Sequence, residues 1–191
     1  MLCTLDELKA HIFDKAPYPS THDTLLTALI EEASGMINAE TRRQIEIADI
    51  TEYHDGELQN AIILHEYPVA EEATITITED DEAVAATDFA VDFDQGVLRL
   101  LDGATFAEGE KNVKVVYRAG YNVSGSPVAG ETALPFELRL ACKIIAGKLF
   151  QLREVVGLKQ KRFRDGTTAY KEVLDDDIKA TLKRHQRKIV G

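Results

Sequence analysis

Hydrophobic positions along this chain change their period twice. From Asp23 to Thr41 the apolar residues Leu26, Leu29, Ile30, Ala33 and Ile37 recur at i, i+3 and i+4, the spacing of one buried helical stripe. Glu31, Glu32 and Glu40 fall off it. A shorter helix is predicted ahead of it, from Leu5 to about Ile12. Thr4 with Glu7 three residues later makes a capping box, which satisfies two amide donors at once. Pro17 and Pro19 separate the two helices.

From about Thr51 to Tyr121 the period falls to two. Ile62–Leu64, Ala73–Thr78, Phe89–Phe93, Val97–Leu100 and Val113–Tyr117 read as strands. The breaks carry turn chemistry: Asp55-Gly56, Asp80-Asp81, Asp94-Gln95-Gly96, Asp102-Gly103 and Glu108-Gly109. Asp94-Gln95-Gly96 predicts a hairpin, since glycine supplies positive φ in a tight loop. Asn122 to Leu134 reads as a Ser/Gly/Pro-rich linker.

The helical period returns after Pro135. The predicted stripe is Leu138, Ala141, Ile145, Leu149 and Leu152, with the small residues Ala141, Cys142, Ala146 and Gly147 beside it. The second helix carries its own small set, Ala33, Ser34, Gly35 and Ala39, so these two helices are expected to pair across the β insertion. A last helix is predicted from about Asp176 to Ile189, capped by Asp175-Asp176-Asp177. The fold class that follows is α+β: a helical body with an inserted small antiparallel sheet, in a single domain over 1–191. Its parts are N-terminal helices (1–45), β insertion (46–121), core helix (135–154) and a basic C-terminal segment with the final helix (155–191).

Charge adds a division that periodicity does not show. Residues 1–138 hold 8 Lys+Arg against 27 Asp+Glu, and residues 139–191 hold 14 against 6. Opposed blocks of this kind point to partners, not to a fold. No apolar run is long enough to span a bilayer, and the N-terminus lacks the basic and apolar regions of a signal peptide. Cys3 and Cys142 lie far apart in sequence without a CxxC partner. Neither a disulfide framework nor a thiolate metal site is expected, and Cys142 reads as a small core residue.

The search for chemistry finds no catalytic constellation. The five histidines show no HExxH or i, i+4 pairing, and His54 and His65 are expected to be solvent-facing strand residues, although a hairpin could bring them face to face. Walker A, GxGxxG and GxSxG patterns are absent. No enzyme, cofactor or metal is expected. The basic end is the candidate site. Ile178, Leu182 and Ile189 form a narrow stripe, surrounded by Lys179, Lys183, Arg184, Arg187 and Lys188. Such a helix can dock on protein, touch a DNA backbone or stand solvated; the thin apolar side disfavours a membrane. Lys159, Lys161, Arg162, Phe163 and Arg164 read as a flexible basic docking loop with little to bury.

The order of these pieces resembles the head–tail connector, or neck adaptor, family of long-tailed phages and gene transfer agents, in its longer form with a β-rich insertion. The resemblance rests on Thr4-Leu5-Asp6-Glu7-Leu8-Lys9, Asp23 to Ser34, Glu40-Thr41-Arg42-Arg43, Thr51 to Gly56, Leu64 with Tyr67-Pro68-Val69, and Val115 to Tyr121. Pro135 opening the helix of Leu138, Ala141 and Ile145, and Gly157 with Gly166 to Tyr170, complete it. It implies a structural virion protein that forms a ring, usually dodecameric, beneath the portal at the head–tail junction. Assembly would take place in the host cytoplasm. It further implies portal and stopper or tail-completion proteins as partners, a lumen through which DNA passes without specific binding, and a portal contact by 174–191. The segments Asp80–Ala86 and Ser124–Ala133 depart from the family in length. A DNA-binding accessory protein using the basic C-terminal segment is the rival expectation.

Overall fold

The computed structural model describes residues 1–13, 15–124, 128–152 and 173–187. The protein is α+β. Its elements run α1 (Leu5–Ile12), α2 (Asp23–Thr41), β1 (Ala48–Gly56), β2 (Ala61–Ile63), β3 (Thr76–Glu79), β4 (Glu82–Val84), β5 (Phe89–Asp92), β6 (Val97–Leu100), β7 (Gly109–Ala119), β8 (Tyr121–Asn122), β9 (Thr132–Ala133), α3 (Phe136–Leu152) and α4 (Asp176–Arg184). They fall into two compact units, Met1–Arg42 with Pro135–Gly191, and Arg43–Leu134.

In the helical unit, α1 starts at the predicted capping box. Glu7 N–H donates to Thr4 Oγ1 at 3.2 Å, and Thr4 N–H donates to Glu7 Oε2 at 2.8 Å. α2 buries Leu26, Ile30, Ala33 and Ile37 and packs on α1, α3 and α4. Each large aliphatic side chain so buried contributes roughly 1.5–3 kcal/mol. Ser34 is buried with this stripe, but Gly35 and Ala39 are exposed, so only half of the predicted small-residue face is used.

α3 follows its predicted stripe through Leu138, Ala141 and Ile145 and then departs from it. Leu149 and Leu152 are half-buried, and Phe150 takes the core position, edge-on to Phe13 at 6.3 Å and to His22 at 5.4 Å between ring centroids. The predicted stripe steps by three and four from Leu138. The aromatic cluster with the chain around Phe13 and His22 recruits the larger ring instead.

The β unit holds more than one sheet. β1-β7-β3-β4 and β2-β6-β5 are antiparallel, and β8 pairs with β9 in parallel. Apart from Tyr121, the last pair lies in the segment predicted to be a linker. Its strands are two residues long, too short for periodicity to register. β7 alternates cleanly: Val113, Val115, Tyr117 and Ala119 are buried, and their neighbours are half-exposed. Together with Ile77 they share one apolar cluster with Ile62, Leu98 and Leu100 of the other antiparallel sheet, closed by Leu64, Val69 and Phe106. β3 and β4 join through Asp80-Asp81, both at positive φ (48° and 66°), the two-residue turn whose twist matches the strands. β5 and β6 join through the predicted Asp94-Gln95-Gly96 turn, with Gly96 at φ 67° and its N–H on Asp92 O at 2.8 Å.

Candidate interaction surface

α4 carries three of the predicted site residues, Lys179, Lys183 and Arg184. Asp175 caps it, accepting from Ile178 N–H at 3.2 Å, and Asp176 and Asp177 occupy the positive end of the dipole. Ile178 and Leu182, one turn apart, are buried against the rest of the helical unit, where α4 packs on α2 and α3. That orientation leaves Lys179 and Lys183 exposed one turn apart. Lys148 of α3, itself buried, donates to Asp175 Oδ2 and to Val173 O, tying the start of α4 to the core helix.

The helix is shorter than predicted. It ends at Arg184, and His185 is its C-cap. Beyond it, Gln186 Nε2 donates to Glu40 O at 2.9 Å and Arg187 N–H donates to Thr41 O at 3.0 Å. The last carbonyls of α2 lack helical donors, and these tertiary bonds supply them in place of a further turn of α4. Arg184 Nη2 lies 3.2 Å from Glu137 Oε2, and His185 Nε2 lies 3.5 Å from the same oxygen. Arg184 is therefore held against its own chain, and Arg187 is half-buried. Lys188, Ile189, Lys159, Lys161, Arg162, Phe163 and Arg164 lie outside the described residues.

Between α3 and α4, on the side of α4 away from Lys179 and Lys183, runs a groove that the α4 pattern alone does not predict. Phe136, Leu140, Ala141 and Ile144 of α3 face Ile178 and Thr181 of α4 across it, with Glu137, Asp177 and Arg184 on its rim. Phe136 is 69% exposed, with Lys143 Nζ 5.9 Å from its ring centroid. The signal was present: Phe136, Leu140 and Ile144 recur every four residues, a second apolar stripe on a helix already carrying one.

The β unit contains a different cluster. Glu52 and His54 occupy inward positions of β1, where alternation would normally place apolar residues. The Glu52 carboxylate accepts from His65 N–H at 3.2 Å to each oxygen, and His65 Nδ1 is 2.7 Å from Oε2. His54 Nε2 is 3.4 Å from Oε1, and the two imidazoles sit 5.2 Å apart. His54 has only 13% of its side chain exposed, so the expectation of solvent-facing histidines fails there; a buried carboxylate draws the ring inward. Burial raises the Glu52 pKa. The contacts with His54 and the Tyr117 hydroxyl and the nearby imidazoles outweigh it and hold the carboxyl below the usual carboxylate range. Tyr117 is pushed up, by burial first and then by the Glu52 charge, and its oxygen accepts from Glu66 N–H at 3.1 Å. Nearby, buried Arg43 stacks on Tyr67 at 3.9 Å from the ring centroid, with Glu66 Oε2 at 3.7 Å from its Nε. These groups join β1, β7 and the 64–69 loop into one polar seam. Among the described residues, no three His, Cys, Asp or Glu side chains are arranged to hold a metal ion.

The two units also redraw the charge division. The β unit carries 19 Asp+Glu against 5 Lys+Arg, a net of −14; the helical unit carries 14 against 17, a net of +3. The acidic surplus belongs to the β unit, and the N-terminal helices belong with the basic end.

No protein-family model matches the chain, and no curated protein matches it. Solved structures do share its fold. A chain in the neck of an empty gene transfer agent (GTA) particle, computed with C6 symmetry, superposes with a TM-score of 0.67 at 19% identity, covering 99% of this chain and 91% of that one. A chain in the virion of a native GTA particle gives 0.63 at 19% identity. A chain in the neck of a native GTA particle computed with C12 symmetry gives 0.63 at 18%; both cover the same shares. The chain thus has the fold of these proteins over nearly its whole length.

Proposed function

We propose that this protein is a non-enzymatic structural component of a phage-like virion, a ring-forming adaptor at the head–tail junction. The carrying observation is the fold shared over 99% of the chain with proteins of GTA necks, in particles computed with C6 and C12 symmetry. A closed ring needs two different patches on each subunit that meet in a closing rotation. An acidic β unit of net −14 and a helical unit of net +3 supply unlike surfaces for such a contact.

On this reading the ring docks beneath a portal through the α4 surface, extends the DNA channel and offers a platform for stopper or tail-completion proteins. DNA sliding through a lumen is best served by a wall without phosphate-binding cations, and the −14 unit suits that wall. The test is negative-stain imaging of the purified full chain, alone and with isolated portal, alongside a duplex-DNA titration at several salt concentrations. Rings with six- or twelve-fold views, and negligible duplex binding, support the reading. A protein that stays monomeric at high concentration and fails to bind portal overturns it. Tight duplex binding with a steep salt dependence would instead favour a DNA-binding accessory protein.

A further inference from the structure

The helical unit brings together the only two cysteines of the chain, which the sequence separates by 139 residues. Cys3 Sγ donates to Cys142 Sγ at 3.6 Å, and no covalent bond joins them. Both are buried. The approach is held from both sides. Leu2 N–H donates to Ser34 Oγ of α2 at 3.0 Å, and the Thr4–Glu7 capping box fixes the next residue. Ser34 Oγ also donates to Ile30 O at 2.7 Å and lies 3.7 Å from Cys142 Sγ. Cys3 thus sits between two anchored neighbours, with its sulfur aimed at the middle of α3.

We infer that Cys3 and Cys142 form an intramolecular disulfide when the folded protein meets a mild oxidant such as hydrogen peroxide, latching the segment before α1 to α3. A disulfide brings its sulfurs to about 2.05 Å, so the pair closes by roughly 1.5 Å, within reach of small side-chain rotations. The chemistry balances. One thiolate attacks a peroxide oxygen, the O–O bond breaks, and hydroxide leaves to become water, giving a sulfenic acid. The second sulfur attacks the sulfenic sulfur, the S–O bond breaks, and a second water leaves. Two thiols are oxidised by two electrons in all, and one peroxide is reduced to two waters. Cys3 Sγ donates toward Cys142 Sγ, which favours the thiolate on Cys142 against the cost of burial, so Cys142 is the attacking sulfur and Cys3 the resolving one.

The latch would enclose the whole β unit within one covalent loop. It stays open under reducing conditions and closes in an oxidising medium. The inference stands on the geometry of the helical unit and is independent of the proposed function.

The test uses the full chain, treated with hydrogen peroxide under native conditions, then denatured, alkylated with N-ethylmaleimide and weighed intact. The expected product is monomeric, lighter by two hydrogens and unalkylated, and its Tm is higher by about 5–15 °C until a reductant is added. Two maleimides per chain after oxidation, separate sulfinic acids, or disulfide-linked dimers would each overturn the inference. Cys3→Ser should take one maleimide and show no reductant-sensitive rise in Tm; a rise in that variant also counts against the latch. Because burial slows access, a second measurement is made at equilibrium in glutathione buffers. The folded chain should hold the disulfide against at least about tenfold more reducing conditions than the chain in guanidinium, and equal midpoints would refute it.

Discussion

His65 Nδ1 meets Glu52 Oε2 at 2.7 Å, between a half-exposed ring and a carboxylate buried on the inward face of β1. The contact explains how a charged residue persists in an otherwise apolar sheet interior: His65 supplies its backbone N–H as well as its ring. Buried carboxylates survive when donors meet their lone pairs.

That arrangement sets an acid dependence. Burial raises the Glu52 pKa, but its partners depress it overall. A depressed folded-state pKa stabilises the fold above the unfolded value of about 4.3 and loses that contribution as pH falls through the folded value. Glu52→Gln is expected to cost about 1–3 kcal/mol at pH 7 in urea unfolding. The difference from wild type should shrink as pH falls below about 4. A penalty that stays constant across that range would count against this account.

Asp175 has two tasks, capping α4 and partnering buried Lys148. Asp175→Asn keeps a cap oxygen and removes the charge, whereas Asp175→Ala removes both. Alanine should cost about 0.5–2 kcal/mol more than asparagine, the range for a lost N-cap. Equal losses in thermal unfolding would show that the cap contributes nothing.

Leu182 is fully buried and Phe136 is mostly exposed, although both border the same helix pair. Leu182→Ala is expected to cost about 2–5 kcal/mol. Phe136→Ala should stay within about 0.5 kcal/mol, as surface changes do. If the groove serves assembly, Phe136→Ala weakens ring formation or portal binding while leaving the Tm in place; a large fall in Tm would reassign the ring to the core.

Reversing Lys179 and Lys183 to glutamate tests the proposed portal contact, since both are exposed. The expected result is weaker portal binding in pull-downs with an unchanged circular dichroism spectrum. Undiminished binding would move the contact elsewhere on the chain.

Gly120 stands at φ 110°, and a Cβ there would lie 2.9 Å from the Ile47 backbone. Gly120→Ala should destabilise the protein by at least about 1–3 kcal/mol, because both the conformation and the space forbid a side chain. Retained stability in chemical denaturation would contradict that geometry.

Several elements were legible because their determinants are local. The Thr4–Glu7 box, the α2 boundaries at Asp23 and Thr41, the Asp94–Gly96 turn and the Asp175 cap each depend on residues within a few positions of one another. The candidate surface was legible in part. Lys179, Lys183, Ile178 and Leu182 follow from the α4 period, but the other wall of the groove depends on which face of α3 turns toward α4.

By itself, then, the sequence determined the helix starts, the strands around β2, β3, β5, β6 and β7, the Asp80-Asp81 and Asp94–Gly96 turns and the α+β class, since propensity, capping and period act over a turn or two of chain; β1 was not among the predicted strands, and the predicted Asp55-Gly56 turn is its end. Tertiary structure decided the rest. It ended α4 at Arg184 because the C-terminal carbonyls of α2 accept from Gln186 and Arg187. It drew His54 inward to a buried carboxylate, and it brought Cys3 to 3.6 Å from Cys142 across 139 residues. Such pairings depend on which distant backbone comes near, and no local period carries that information.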